Sequence, residues 1–193
     1  MEKNIFTSHT VQGAINFGQS IYTNRSKLEA WQDNNAAPLY SDRTVYFQNY
    51  RIGWSPQLVM GLGYKYSGKK FWHVGIYFNY FDQIYIEPNP DRRTAEAVSN
   101  YLSNEGALYH KIIDQQKLPS YYTANFNGGK SFRVFGKYFL NVNLSVNNLI
   151  NNQNILVSGF EQLRWDPANV AQFANKYYYM TGTTYVLMLN MNL

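Results

Sequence analysis

The sequence contains no cysteine and is short of charge. Without cysteine, a disulfide framework, a zinc–thiolate site and a cysteine nucleophile are all excluded. Asp, Glu, Lys and Arg make up 15% of the 193 residues, whereas an ordinary soluble domain has about 25%. No apolar run reaches the length of a transmembrane helix. The first ten residues lack the apolar core of a signal peptide, so none is expected.

Chemical motifs are also missing. His9, His73 and His110 are too far apart for the spacing of metal ligands. No nucleophile elbow, zinc-protease motif, P-loop or dinucleotide fingerprint occurs. The seventeen Lys and Arg residues are scattered, with no basic run of the kind that binds nucleic acid. We therefore expect neither an enzyme, nor a metal or cofactor site, nor a nucleic-acid partner.

Aromatic and neutral polar residues are abundant in place of charged ones. Aromatics reach 18%, with 18 Tyr and 12 Phe. Strands that alternate lipid-facing apolar residues with inward polar ones, with aromatic girdles at both interfaces, have this composition. A Tyr-rich soluble β-protein would look similar.

The last stretch of the chain alternates with the period of a strand. Six residues fall on one face: Thr183, Tyr185, Leu187, Leu189, Met191 and Leu193. Val186, Met188 and the amides Asn190 and Asn192 fall on the other. This pattern is typical of a strand that closes an outer-membrane β-barrel. A strand of a soluble sandwich is the alternative.

Similar alternation predicts five earlier strands, which gives six at 8–23, 56–67, 71–85, 120–134, 137–148 and 178–193. Each is longer than the roughly 9–11 residues that a tilted transmembrane strand needs. The connections alternate between long and short, which would place all three long ones on the extracellular side. Within the second long connection, Thr94 is a plausible N-cap for a helix over 94–102, and a second short helix is predicted over 105–116.

Six strands are too few to close a membrane barrel, because the smallest have about eight. Segments 26–33 and 43–53 could add two strands and make a self-contained eight-stranded barrel. Otherwise the chain would be the C-terminal portion of a larger barrel. A soluble ligand-binding β-barrel is a third possibility, which would need an apolar interior and a polar exterior.

Several short motifs resemble one family in order and spacing over nearly the whole chain. They are NYRIG (49–53), GLGY (61–64), FWHVG (71–75), NYFD (79–82), NPDRRT (89–94), GKSFR (129–133), VNNLINN (146–152), GFEQLR (159–164) and KYYY (176–179). Together they resemble the C-terminal barrel segment of TonB-dependent receptors in the form typical of Bacteroidetes.

The resemblance implies an all-β fold: the last six or so antiparallel strands of a 22-stranded transmembrane β-barrel, with long extracellular loops. Residues 1–193 would all belong to the barrel, with no plug or N-terminal domain. The implied location is the cell outer membrane. The implied function is import of a nutrient by the whole receptor, since this chain without its plug could not perform gated transport. An eight-stranded anchor or adhesin remains the alternative.

The resemblance also implies partners: the plug and remaining barrel strands, outer-membrane lipid and lipopolysaccharide, and the TonB complex acting through the missing N-terminal part. A surface lipoprotein is a further candidate. The barrel-assembly machinery would read an insertion signal in the last strand, at Tyr185, Leu187, Leu189, Met191 and Leu193. The chain ends on Leu, whereas the family usually ends on Phe.

The polar side of the strands would face the lumen and, in the implied receptor, the plug. This set is rich in amides: Asn125, Asn127, Asn141, Asn143, Asn147 and Asn190.

In the long loop, Asp91, Arg92 and Arg93 are the candidate site residues. The arginines could bind lipopolysaccharide or a loop carboxylate, or could fasten the loop through Glu96. Asp82, Glu87 and Asp91 could hold calcium with loop carbonyls, although solvated loop charge is the favoured interpretation.

Overall fold

Seven antiparallel strands form the main sheet of the computed structural model, which describes residues 2–99, 106–164, 166, 169 and 171–192. In spatial order they are β1 (Glu2–Phe6), β2 (His9–Phe17), β5 (Leu58–Gly68), β6 (Trp72–Asp82), β7 (Tyr121–Val134), β8 (Tyr138–Asn147) and β11 (Thr184–Asn192). The all-β antiparallel prediction is therefore confirmed. No closed barrel is found, because β1 and β11 lie at opposite edges of the sheet as described.

All six predicted strands are present and all are shorter than predicted, the first and the last by the most. Residues 18–23 leave the sheet because their backbone pairs with residues 50–52 instead, as shown by the bond from Tyr22 N to Tyr50 O (2.9 Å). Residues 178–179 belong to a separate pair of strands, so the last strand of the sheet begins at Thr184. The structure also adds β1, which the sequence pattern did not predict.

The register aligns the alternating residues of neighbouring strands, so each face of the sheet has its own character. Leu62 lies opposite Gly13 on β2 and Phe78 on β6, and Leu144 lies opposite Gly128 on β7 and Leu187 on β11. We call one side the apolar face, and it includes Ile15, Phe17, Met60, Leu62, Ile76, Phe78, Tyr122, Phe126, Leu140, Leu144, Tyr185, Leu187, Leu189 and Met191. We call the other the polar face, and it includes Gln12, Lys65, His73, Tyr77, Asn79, Asn125, Asn127, Asn141, Asn143, Asn147 and Asn190.

The short connections lie at one end of the sheet and the long ones at the other. Residues 7–8, 69–71 and 135–137 are tight turns. Lys70 and Phe71 both have positive φ, as do Phe135 and Gly136, and two successive residues of positive φ also occur in the type I′ turns of hairpins. Segments 18–57, 83–120 and 148–183 connect strand ends on the opposite side. The predicted alternation of long and short connections is therefore correct.

The described parts of the three long connections form a layer that we call the cap. It contains the hairpin β3 (Lys27–Ala30) and β4 (Tyr40–Thr44), the 3-10 helix Pro90–Arg93, the helices α1 (Ala95–Val98) and α2 (Ala107–Ile113), and the strands β9 (Leu156–Phe160) and β10 (Lys176–Tyr179). Segments 26–33 and 43–53 therefore do not add strands to the main sheet. None of the helices in the described ranges is long and apolar enough to cross a membrane.

Both predicted helices occur, in shorter form. Thr94 is the N-cap of α1, and its side chain accepts a hydrogen bond from Ala97 N at 3.3 Å. The helix ends at Val98, and residues 100–102 of the predicted span lie outside the described residues. The second helix occupies Ala107–Ile113 within the predicted 105–116.

The buried hydrophobic core lies in the cap rather than beneath the sheet. Ile84, Ile86 and Leu118 are fully buried and pack together, with Phe81, Tyr121 and Leu156 against them. Backbone bonds hold the cluster, including Leu118 N to Ile84 O (2.8 Å) and Ile86 N to Gln116 O (3.1 Å). The pairing of β6 with β7 thus continues beyond the sheet and anchors the cap to it.

Gly129 on the polar face gives a test of this register. A Cβ at Gly129 would meet the side chain of Asn143, the His73 ring at 2.8 Å and the backbone oxygen of Val142 at 2.9 Å. Because backbone cannot move away easily, we expect Gly129→Ala to lower the free energy of unfolding by about 1–3 kcal/mol. Thermal unfolding followed by circular dichroism measures the change.

Gly13→Ala is the matched control, because a Cβ at Gly13 in β2 would meet nothing within 4 Å. We expect it to leave the transition within error of the parent. Equal shifts for the two variants would contradict the register of β6, β7 and β8.

Candidate functional site

The apolar face is uncovered in the described part of the chain. Leu62 at its middle is 59% exposed and Leu187 near its edge is 60% exposed. Phe78, Tyr122 and Leu144 between them are exposed as well. Large side chains that align across six strands therefore point to the surroundings rather than into a core.

The size of this face exceeds what soluble proteins usually expose. Six strands at about 4.8 Å spacing, each with nine residues at about 3.3 Å rise, span roughly 24 Å by 30 Å. The projected area is thus on the order of 700 Å², whereas the largest apolar patch of a typical soluble monomer is about 300–600 Å². A surface of this kind needs a nonaqueous medium or a partner to cover it.

The residues expected to form the insertion signal lie together on β11. Tyr185, Leu187, Leu189 and Met191 share the apolar face and are each more than half exposed. Leu193 lies outside the described residues. Among the described residues β11 pairs with β8 and with no second strand, so these side chains stand at an open edge of the sheet.

The amide residues predicted to share a face do so. Asn190 lies opposite Asn141, and Asn127 lies opposite Gly75 and Ser145. The remaining three are Asn125, Asn143 and Asn147, on β7 and β8. Several of them bond to a neighbouring strand or connection: Ser131 Oγ donates to Asn141 Oδ1 (2.5 Å), and Asn148 N donates to Asn125 Oδ1 (3.0 Å). They form a neutral wall of donors and acceptors.

A small pocket opens where this wall meets the cap. Its volume is about 230 Å³, and its lining combines the polar side chains of Asn79, Asn125 and Asn148 with the apolar side chains of Phe81 and Met180. Asn148 is buried, and its side chain donates to the carbonyls of Asn152 (2.9 Å) and Thr181 (3.2 Å). The pocket therefore has a mixed lining that Asn148 ties to the third long connection.

A buried ion pair lies at the centre of the cap. Arg93 is 0% exposed and forms a two-pronged contact with Glu161, through Nη1 to Oε2 and through Nη2 to Oε1 at 2.7 Å. Arg93 also donates to the carbonyls of Asn89, Ile113 and Asp114, each at 3.3 Å. Asn89 N donates to Glu161 Oε2 at 2.8 Å. Both charges are thus well satisfied away from water, as buried ions require.

This ion pair connects all three long connections. Arg93 and Glu161 belong to the second and third, and the first is tied in where Tyr46 N donates to Arg93 O at 2.7 Å. Asn89 Nδ2 adds a bond to Gln162 O at 2.8 Å. The cap is therefore one connected unit rather than three independent loops.

Two sequence-based interpretations of the arginines are wrong. Arg92 is 4% exposed and Arg93 fully buried, so neither is available on the surface for lipopolysaccharide. The loop is fastened through Glu161 rather than Glu96, because Glu96 lies 4.0 Å from Arg43 on the hairpin. The alternative that an arginine pairs with a loop carboxylate is the one that the structure supports.

The three carboxylates considered for calcium each have another partner. Asp82 lies 2.9 Å from Lys117 Nζ, Tyr22 donates to Glu87 at 3.0 Å, and Tyr40 donates to Asp91. No group of three metal-binding side chains occurs among the residues that the structure describes. These carboxylates therefore act as hydrogen-bond acceptors within the fold.

Burial raises or lowers several pKa values in the cap. For Tyr40, burial and then the hydrogen bond to Asp91 raise the pKa to about 12. Burial also raises the pKa of Tyr50, whose hydroxyl donates to Ile113 O. Burial lowers the pKa of Arg92, whose Nη2 donates to Phe173 O at 3.3 Å. The tyrosines are thus held neutral as donors.

An aromatic cluster lies on the surface of the cap. The Trp54 ring lies 6.5 Å from Phe160 in a nearly parallel arrangement and 5.3 Å from Tyr178. Trp54 is half exposed and has φ of 73°, which is unusual for a bulky residue. This cluster offers a flat apolar surface to a ligand.

Glu161 and Asn148 are the residues that sequence reasoning did not identify as organisers of the cap. One signal pointed to Glu161: residues 115–160 contain no Asp or Glu, and after them only Glu161 and Asp166 occur. A buried arginine that needs a carboxylate from the third connection has only those two choices. Nothing comparable marked Asn148 among so many Asn residues.

Searches with this chain matched no protein-family model, no curated protein and no solved structure.

The buried ion pair makes a strong prediction about the stability of the cap. Glu161→Gln leaves the Arg93 charge buried without its counter-ion, which costs about 3–5 kcal/mol in comparable buried pairs. Glu96→Gln is the matched control, because its side chain is half exposed, and exposed pairs contribute at most about 1 kcal/mol. Chemical denaturation measures both. A loss for Glu161→Gln no larger than that for Glu96→Gln would contradict this role.

The raised pKa of Tyr40 makes a prediction about pH. A tyrosine whose folded pKa lies above the unfolded value of 10.0 stabilises the fold below pH 10, and that contribution is lost as pH rises toward about 12. Subtracting the ultraviolet absorbance titration of Tyr40→Phe from that of the parent isolates one phenol. Its ionisation should lie near pH 12; ionisation near pH 10 would contradict the contact with Asp91.

Proposed function

We propose that this chain is a strand segment of an outer-membrane receptor of the TonB-dependent kind, corresponding to the last strands of its barrel. The whole receptor imports a nutrient across the outer membrane with energy delivered from the inner membrane. This segment contributes part of the barrel wall and part of the extracellular surface. It needs no catalytic group or cofactor for either role.

The observation that carries the proposal is the uncovered apolar face. Its strands present Ile15, Leu62, Phe78, Leu144 and Leu187 in one continuous surface. In a bilayer, lipid covers such a surface, and backbone groups must pair between strands because no water is available. The sheet pairs its interior strands on both sides, and an apolar face opposite a polar face is the alternation expected of a transmembrane barrel.

The distribution of connections supports the same proposal. Outer-membrane barrels have short periplasmic turns and long extracellular loops, and the sheet has three tight turns at one end and the cap at the other. In this proposal the cap lies outside the cell. The Trp54 cluster and the pocket lined in part by Asn148 are then the places where a ligand would touch this segment.

The polar face would form the inner wall. Its Asn side chains offer donors and acceptors without net charge, which suits contact with a plug because unpaired buried charge is costly. The apolar side chains of β11, Tyr185 to Met191, would serve as the signal for the barrel-assembly machinery. The open edges β1 and β11 would pair with the remaining strands of the barrel.

A self-contained eight-stranded anchor or adhesin is the alternative. It would need an eighth strand, and the hairpin of β3 and β4 lies outside the main sheet. The described sheet has seven strands, with β1 and β11 at separate edges. The geometry thus favours a segment of a larger barrel over a complete small one.

The intact mass of the denatured polypeptide, taken from the outer-membrane fraction of its source, separates the two proposals. We expect a mass several times the 22.5 kDa of this chain, because plug and remaining strands would be covalently continuous with it. A mass near 22.5 kDa would overturn the receptor assignment in favour of the anchor or adhesin. Recovery from the soluble fraction would overturn both.

A further inference from the structure

Negative charge is almost absent from the main sheet and its short turns. Of the twelve Asp and Glu residues, only Glu2 and Asp82 lie in these strands. Asp82 is at the cap end, beside Lys117, and Glu2 lies opposite Gln12, away from the turns. The other ten belong to the three long connections.

The main sheet and its short turns carry seven Lys and Arg residues, and five of them lie at the end with the short turns. We call this group the basic rim, and it consists of Lys69, Lys70, Lys130, Arg133 and Lys137. All five side chains are exposed. None of them has a carboxylate partner among the described side chains. The rim is therefore a strip of uncompensated positive charge.

The rim borders the apolar face directly. Lys130 belongs to that face and lies opposite Trp72 on β6, with its Nζ 4.9 Å from the centre of the Phe132 ring. Lys137 Nζ lies 5.3 Å from the Tyr138 ring. Lysine stems that lie along aromatic rings and carry their amines beyond an apolar surface are typical of a membrane interface.

The tips of two turns carry exposed phenylalanines beside these lysines. Phe71 is 74% exposed and Phe135 is 88% exposed. Their φ values are 59° and 53°, in a region where Gly and Asn are preferred and bulky residues are rare. A turn that only faced water would gain nothing from a phenylalanine here, whereas a turn that touches lipid gains apolar contact.

We propose that the basic rim binds the phosphate headgroups of anionic glycerophospholipids, with the rings of Phe71, Trp72, Phe132 and Phe135 beside the lysines in the same interfacial layer. This inference rests on the membrane position proposed above and adds the headgroup class and the residues. In that position the short turns face the periplasm, where the adjoining leaflet supplies phospholipid. Lysine amines near an anionic membrane surface gain affinity through charge attraction.

An acidic protein is a weaker candidate for the same surface. Lys130 and its aromatic neighbours follow the line of the apolar face rather than forming a separate basic patch. A protein partner would have to cover both the charge and the adjoining apolar side chains. A phospholipid offers both chemistries in one molecule, with phosphate next to hydrocarbon.

The test compares lipid binding by the full chain in detergent micelles. Native mass spectrometry titrates phosphatidylglycerol, phosphatidylcholine and lipid A, the phosphorylated anchor of lipopolysaccharide. The rim variant carries Lys69→Gln, Lys70→Gln, Lys130→Gln and Lys137→Gln. The control carries Lys27→Gln, Lys111→Gln, Arg164→Gln and Lys176→Gln, exposed positions of the cap, so that both lose four positive charges.

We expect the parent to bind phosphatidylglycerol at least tenfold more tightly than phosphatidylcholine. The reason is that each basic residue near an anionic membrane surface raises the binding affinity about fivefold. The rim variant should lose most of this preference, and the control should keep it. High salt should weaken the preference in the parent. If the rim variant fails to fold by circular dichroism, the turn variant Lys69→Gln, Lys70→Gln replaces it, with an expected partial loss.

Three results would overturn the inference: no headgroup preference, equal losses in rim and control variants, or tighter rim-dependent binding of lipid A than of phosphatidylglycerol. A rim that instead captures an acidic peptide equally well in the absence of lipid would also overturn it. A different result would show that the proposed membrane position is wrong. A chain that stays dispersed and monomeric without detergent would overturn the membrane position itself, whatever its lipid preference.

Discussion

The uncovered apolar face is the constraint on which the rest of the structure depends. Burial of apolar surface is the main favourable term in folding, at about 25 cal/mol per Å², and here a face of six strands leaves large side chains such as Leu62 and Leu187 uncovered within the described chain. Whatever medium or partner covers that face supplies the missing term. The amide-rich polar face, the paired interior strands and the placement of the connections all accord with lipid on the apolar side.

The apolar face needs apolar surroundings, whereas the cap carries charge and needs surroundings that tolerate it. Ten of the twelve carboxylates lie in the three long connections, and the buried aliphatic cluster of Ile84, Ile86 and Leu118 forms there. Arg93 and Glu161 then hold the connections together at fixed geometry. The chain thus divides its chemistry by position: a charged cap, an apolar middle, and a basic and aromatic rim.

Patterns among neighbouring residues predicted those parts of the fold that neighbouring residues determine. Alternation identified the strands, turn chemistry the hairpins, and Thr94 the start of α1. It failed where distant segments compete for the same backbone: residues 18–23 alternate like a strand but pair with 50–52. Likewise the partner of Arg93 is 68 residues away, and nothing near NPDRRT in the sequence distinguishes Glu161 from Glu96. These pairings depend on which distant segments come together, and that is visible only in the folded cap.

The central claim is that the apolar face lies in lipid, and the absence of cysteine makes a direct measurement possible. Single cysteines at Phe78 and Leu144 on the apolar face, and at their neighbours Asn79 and Asn143 on the polar face, are labelled with a water-soluble maleimide in the full polypeptide in phospholipid membranes. In the fold, Phe78 is more exposed than Asn79, and Leu144 is more exposed than Asn143. If water reached both faces, the maleimide would therefore label positions 78 and 144 faster. The account predicts the reverse order, with Asn79 and Asn143 labelled and their neighbours protected. Faster labelling at Phe78 and Leu144 would contradict it.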